Sequence, residues 1–172
     1  MPLSQADFNR LVEEHGPGLY RLAYRLVGNR HEAEDAVQET YRSAWSNRAA
    51  FDSDLSERAW LATILRRRVI DRWRRQPPRP VLSMDTDPQI GAEDEDPHRD
   101  EYSDPVQHAL NRLPDEIREA LLLVVVGELT HQEAADLLQV PLGTVLSRVS
   151  RGRNRLRQFL LRESAQGESA QS

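Results

Sequence analysis

Between Pro77 and about Ser103 the chain is rich in proline, aspartate and glutamate and holds few large apolar residues. Such a segment buries too little apolar surface to offset the entropy of ordering it, so it reads as a disordered linker. It leaves two halves, 1–76 and 104–162, each near or below the ~70–80 residues at which a single core supplies only ~3–5 kcal/mol. Neither half has strand-like alternation of useful length, and helical spacing runs through both. The predicted fold class is all-α. An N-terminal bundle of three or four helices and a C-terminal helix-turn-helix bundle are joined by a flexible acidic linker over 77–103, with a disordered tail over 163–172.

In the first half, Leu11, Leu19, Leu22, Ala23 and Leu26 suggest a pair of helices broken near Gly16-Pro17. Asn29 is placed to cap a helix running to about Asn47, with Ala33, Val37, Tyr41, Ala44 and Trp45 as its apolar stripe. Ser56 is a natural N-cap for a helix from Glu57 to about Gln76, ended by Pro77-Pro78. Leu61, Leu65, Val69 and Trp73 form its inward face, and Trp60 and Trp73 read as core residues. In the second half a short helix, DPVQHALNRL, precedes PDEIREALLLVVVGEL, where Pro114 falls in the first turn and costs nothing. THQE is a capping box: Thr130 can bond the Glu133 N–H while Glu133 reaches back. The turn Gln139-Val140-Pro141 follows, then a last helix from about Leu142 to Leu161.

The formal net charge of −5 conceals strong segregation. Arg66–Arg79 holds seven arginines and one acid, Arg148–Arg162 six arginines and none, and Pro80–Pro105 nine acids and one arginine. There is no cysteine, so neither a disulfide framework nor a thiolate metal site is available. HEAED at His31 lacks the second histidine of a zinc helix, and EDEDPHRDE lacks the residue order of a calcium loop. No metal or other cofactor is expected. No nucleophile–base arrangement suggests a catalytic site, so no catalytic residue is predicted. No signal peptide and no run of ~20 apolar residues is found, so a cytoplasmic protein without membrane insertion is expected.

The last two helices carry the functional signal. Ala134 and Ala135 permit close helix crossing, Leu137, Leu138 and Val140 fill the angle, and Val145, Val149, Gly152, Leu156 and Leu160 form the buried stripe of the second helix. Offset from it, Thr144, Ser147, Arg148, Arg151 and Arg155 share one face. The N-terminal part of such a helix enters the major groove, where Ser and Arg can bond base edges. Arg153 and Arg157 point away from that stripe and are candidates for phosphate contact. The competing reading is a solvated helix whose arginines pair with nearby acids. The capping box, crossing alanines, turn proline and one-sided Ser/Arg stripe, occurring in order, favour nucleic acid.

GNRHEAEDAVQETYRSAW, RAWLATILRRRVIDRWRR and ALNRLPDEIREALLLVVVGELTHQEAADLLQVPLGTVLSRVSRGRNRLR together resemble the extracytoplasmic-function (ECF) sigma factors of bacterial RNA polymerase, over about 8–76 and 106–160. The resemblance implies a non-catalytic subunit that binds core polymerase and recognises the −35 and −10 elements of promoter DNA. It implies that Asp35, Gln38, Glu39 and Arg42 dock on the clamp helices of the largest polymerase subunit. It implies that Glu57–Gln76 reads the −10 element, with Arg66, Arg67, Arg68, Arg72, Arg74 and Arg75 facing the strand backbone. The loop Ala49–Ser56 resembles the segment that receives an unstacked base; Phe51 could stack there or close the core. An anti-sigma factor that covers the polymerase-binding faces is a further implied partner. One departure stands out: many relatives have a basic residue between Val145 and Ser147, and here it is Leu146. That leaves more of the −35 reading to Ser147, Arg148 and Arg151.

About 26 linker residues reach at most ~85 Å when extended, against ~60 Å along the duplex between the two elements. In the free protein, the acids of Asp85–Asp104 are expected to fold back onto the Arg66–Arg75 surface and the Arg148–Arg162 helix. The alternative function is a helix-turn-helix regulator that binds operator DNA through Thr130–Arg157 without core polymerase.

Overall fold

The computed structural model describes residues 3–52, 54–75 and 104–169. Among them are seven α-helices, one 3-10 turn and no strand: α1 (Gln5–Val27), α2 (Arg30–Ser46), the turn Arg48–Ala50, α3 (Glu57–Arg75), α4 (Pro105–Asn111), α5 (Asp115–Val125), α6 (His131–Leu138) and α7 (Leu142–Ser169). The all-α expectation holds. The predicted linker and its folding back lie outside the described residues, except at Asp104.

Local chemistry sets most boundaries. Ser4 and Asp7 cap α1 reciprocally, and Gly28, at φ 71°, ends it in the left-handed conformation that glycine adopts without strain. Asn29 then caps α2 by accepting from the Glu32 N–H at 3.1 Å, so only two residues turn the chain back on itself. Ser56 caps α3 through the Ala59 N–H at 3.1 Å, as its position predicts. Asp104 caps α4 through the Val106 and Gln107 N–H groups.

Three expectations are corrected. The predicted break at Gly16-Pro17 does not occur, and α1 is one helix of 23 residues with Pro17 inside it. An interior proline costs ~3 kcal/mol. Here Leu11 before it and Leu19, Leu22 and Leu26 after it bury into the same core, and Pro17 itself lies on the partly open side. Helix α5 stops at Val125 rather than running through GEL: the Gly127 N–H turns back to Leu122 O, the Leu129 N–H to Leu123 O, and Glu128 takes φ 56°. Residues 163–169, predicted as disordered tail, continue α7: no proline interrupts them, and the single Gly167 costs only ~1 kcal/mol.

The two helical units pack on each other. A single apolar cluster runs from Leu11, Leu22, Leu61 and Leu65 of the first to Leu113, Leu122, Ala134 and Val145 of the second. Leu22 packs so close to Gly127 that a β-carbon there would lie 3.2 Å from it. Around this contact lie polar ties: Arg25 with Asp104, Arg66 with Glu119, Arg58 with Glu128 at 3.2 Å, and the Ser56 hydroxyl with Glu133 at 2.6 Å. The Arg118 guanidinium, on α5, lies 5.9 Å from the centre of the Trp73 ring on α3. A cleft of about 110 Å³ opens beside Leu22, Arg58, Leu61 and Glu128, along the same seam.

Candidate nucleic-acid interface

Helices α5, α6 and α7 build the helix-turn-helix. The capping box at the start of α6 is complete: Thr130 Oγ1 accepts from the Glu133 N–H at 3.1 Å, and Glu133 accepts from the Thr130 N–H at 2.8 Å. Burial raises the Glu133 carboxyl pKa, but hydrogen bonds from Ser56 and Thr130 outweigh it and hold it below its ordinary value. Gln139 takes φ 56° as the cap of α6, and the Val140 N–H returns to Ala135 O at 3.1 Å. Pro141 O then accepts from Thr144 and Val145 and starts α7. Ala134, Ala135, Val145 and Val149 are buried. Gly152 sits where a β-carbon would be 3.1 Å from Ile117 and 3.2 Å from Leu121, so α7 approaches α5 as closely as two backbones and a leucine permit.

This packing sets what α7 shows to solvent. Thr144, Ser147, Arg148 and Arg155 are half-buried, and Arg151 is exposed. Arg148 pairs with Glu116 of α5 at 3.1 Å, the outcome that a solvated, acid-paired helix would give. Leu142, Leu146, Ser150, Arg153 and Arg157 are all exposed. At ~100° per residue they lie within one stripe, on the other flank of the buried residues from the predicted face, with Arg151 exposed between the two. Ser150 was not among the predicted contacts, although its offset from Val145, Val149 and Gly152 was readable in the sequence.

The arginines of α3 divide in two. Arg66 is held by Glu119, Arg68 lies 3.6 Å from Glu39 and donates to the Ser43 hydroxyl at 2.9 Å, and Arg72 reaches Asp35 at 3.4 Å and Glu32 O at 3.2 Å. Arg67, Arg74 and Arg75 are exposed. Asp35, Gln38, Glu39 and Arg42 are exposed together along α2, so the structure brings the predicted docking face beside the base of the predicted DNA face. The Phe51 ring lies 4.9 Å from that of Trp60 and is half-buried, so in this conformation it closes the core.

Glu14, His15 and Glu57 converge closely enough to hold a cation. Arg10 already bridges both carboxylates, at 3.2 and 3.0 Å, and His15 lies 2.9 Å from Glu57. The group therefore reads as an ion-pair network fastening the start of α3 to α1. No described helix is long and apolar enough to cross a membrane.

Two family models match the chain in order: sigma-70 region 2 over residues 11–77 and sigma-70 region 4 over residues 103–156. The chain is 37% identical to the ECF RNA polymerase sigma factor SigE of Mycolicibacterium smegmatis, over 96% of its own length and 65% of that protein's. It is 33% identical to the ECF RNA polymerase sigma factor SigW of Bacillus subtilis, over 91% of its own length and 90% of that protein's. Among solved structures it is similar to the sigma factor RpoE of Bartonella quintana in complex with the anti-sigma factor NepR. That match has TM-score 0.71 and 30% identity, and covers 90% of this chain and 96% of that one. It is also similar to CnrH in complex with the cytosolic domain of CnrY, with TM-score 0.70 and 27% identity over 91% and 89% of the two chains.

Proposed function

The chain belongs to the ECF sigma factors, and from that premise we propose that it directs bacterial RNA polymerase core to specific promoters and starts transcription there. The carrying observation is the order of the two units: a region 2 bundle bearing an exposed polar face and a basic helix, then a region 4 helix-turn-helix. Neither half alone needs such a partner; together they suit a subunit that grips two promoter elements while core polymerase holds both.

In this reading Asp35, Gln38, Glu39 and Arg42 meet the clamp helices of the largest subunit. Arg67, Arg74 and Arg75 face the −10 strand at once, and Arg66, Arg68 and Arg72 join when their acidic partners are exchanged for phosphate. The exposed side of α7 meets the −35 element, with Leu146 and Ser150 towards one margin and Ser147, Arg151 and Arg148 towards the other. The protein acts in the cytoplasm and by binding alone, making and breaking no bond itself. An anti-sigma protein restrains it, as NepR partners the Bartonella relative. The docked halves are too close to reach elements ~60 Å apart on the duplex, so binding to a promoter separates them.

Run-off transcription with core polymerase tests the proposal. Transcripts from defined start sites are expected only when this chain is added. Tight binding to duplex operators without core, and no added transcripts with it, would refute the proposal and favour an operator-binding regulator.

A further inference from the structure

The exposed stripe of α7 begins with two leucines. Leu142 is 40% and Leu146 47% exposed. Spaced by one turn, they form an apolar spot at the N-terminal end of the helix, and the stripe continues through Ser150 to the exposed Arg153 and Arg157. A surface that suits this pattern is anionic along its rim and apolar at one point. The major groove is such a surface. Phosphates line its edges, and the C5 methyl of thymine is the apolar group its base pairs present. The N-terminal residues of a recognition helix are the ones that meet base edges.

Resting on the promoter-binding reading above, we infer that Leu146 is a base-reading residue whose side chain covers the methyl of a thymine in the −35 element. Leu142 shields the contact from water. The nearby polar groups, Ser147 and the exposed Arg151 included, read hydrogen-bonding edges and not a methyl. Arg148 is drawn back towards α5 by Glu116, and the Ser150 hydroxyl can donate or accept and so bonds bases of either kind. A leucine here does more than remove a positive charge from the helix start: it exchanges a phosphate or guanine contact for recognition of one methyl group. Arg153 and Arg157, further along the stripe, supply sequence-independent attraction to the backbone.

The test uses holoenzyme assembled from the full chain and core polymerase, selecting among duplexes with a randomised −35 element. Wild type is expected to enrich thymine at one position. Leu146→Ala should lose that enrichment while keeping the others, and Leu146→Met should retain it. A selected duplex is then remade with deoxyuridine at that position, which removes only the methyl. Wild-type holoenzyme should bind it about fourfold more weakly, the scale of burying one methyl group, and Leu146→Ala should bind both duplexes equally. Equal thymine enrichment in wild type and Leu146→Ala, or no effect of deoxyuridine on wild type, overturns the inference and leaves the sigma function standing. If Leu146→Ala changes only the affinity for an inhibitory protein, the leucine belongs to that interface and the inference also falls. Selection of neither promoter element by wild type would remove the function together with it. Should the alanine variant misfold, the deoxyuridine comparison on wild type decides alone.

Discussion

Replacing Glu119 with glutamine should loosen the seam between the two helical units. Glu119 is 15% and its partner Arg66 29% exposed at the side chain, so water screens the pair only in part. Fully exposed pairs contribute ~0.2–1 kcal/mol, and breaking a buried one costs ~3–5 kcal/mol. At these exposures a loss of about 1.5 kcal/mol is expected, the lower end for a hydrogen bond to a charged group. Each ~1.4 kcal/mol is a factor of ten, so Glu119→Gln should raise the ratio of separated to docked molecules about tenfold. The Arg58–Glu128 pair, 49% and 61% exposed, adds little to this. The chain has no cysteine, so Ser46→Cys with Gln158→Cys gives two unique labelling sites, both exposed in the structure, for a single-molecule distance measurement. The separated population should grow with salt in wild type, as screening tightens towards a ~8 Å Debye length at 0.15 M, and should respond less in Glu119→Gln. A cycle with Arg66→Gln isolates the pair. Identical distance distributions in wild type and variant at every salt concentration, or a coupling below the ~0.3–0.5 kcal/mol within which independent sites add, would refute the reasoning.

Two further outcomes follow from the packing and the charges. Gly152→Ala places a methyl group 3.1 Å from Ile117 and 3.2 Å from Leu121; ~1–3 kcal/mol of overpacking outweighs the ~1 kcal/mol that alanine gains over glycine in a helix interior, so the urea midpoint should fall, and a raised midpoint would mean that Ile117 and Leu121 yield to the methyl. Docking should also weaken in acid. Burial raises the Asp104 carboxyl, but Arg25 and two backbone N–H groups outweigh it and hold it below its ordinary 3.8, and Glu133 is likewise held below 4.5. The folded carboxylates therefore bind fewer protons than the unfolded ones, so their contribution is complete above those ordinary values and is lost as pH falls through the lower folded ones. The same distance measurement between pH 6 and roughly 3 checks this, and docking that strengthens as pH falls would contradict it.

Much of this was legible in the residues because the signals were local. Asn29, Ser56 and Thr130 with Glu133 announce helix starts within one turn of themselves, and the structure places a cap at each. The same locality explains the failures. Gly16-Pro17 reads as a break to any rule that sees only neighbours, whereas α1 is held straight through by leucines on both sides of it. The seam was out of reach because its partners are distant in sequence: 53 positions separate Arg66 from Glu119, and 79 separate Arg25 from Asp104. Composition alone assigns the acids of Asp85–Asp104 to a tether that covers basic helices. Asp104, the one member of that set among the described residues, instead pairs with α1. Of the predicted face of α7 only Arg151 is exposed and Arg148 is drawn to Glu116 of α5, since the depth to which Gly152 lets the helix sink depends on a leucine 31 positions away.

In the proposed function helix α7 is both reader and anchor. Near its far end the Phe159 ring lies 4.2 Å beneath the Arg112 guanidinium, and Leu146 lies 13 positions earlier, ~20 Å away along the axis. Val145, Val149 and Gly152, buried where α7 packs on α5 and α6, tie the whole helix to one packed body, so its two ends move together. In the proposed function a substitution at Arg112 or Phe159 therefore acts on promoter binding by loosening the whole rod rather than by changing a side chain at its reading end.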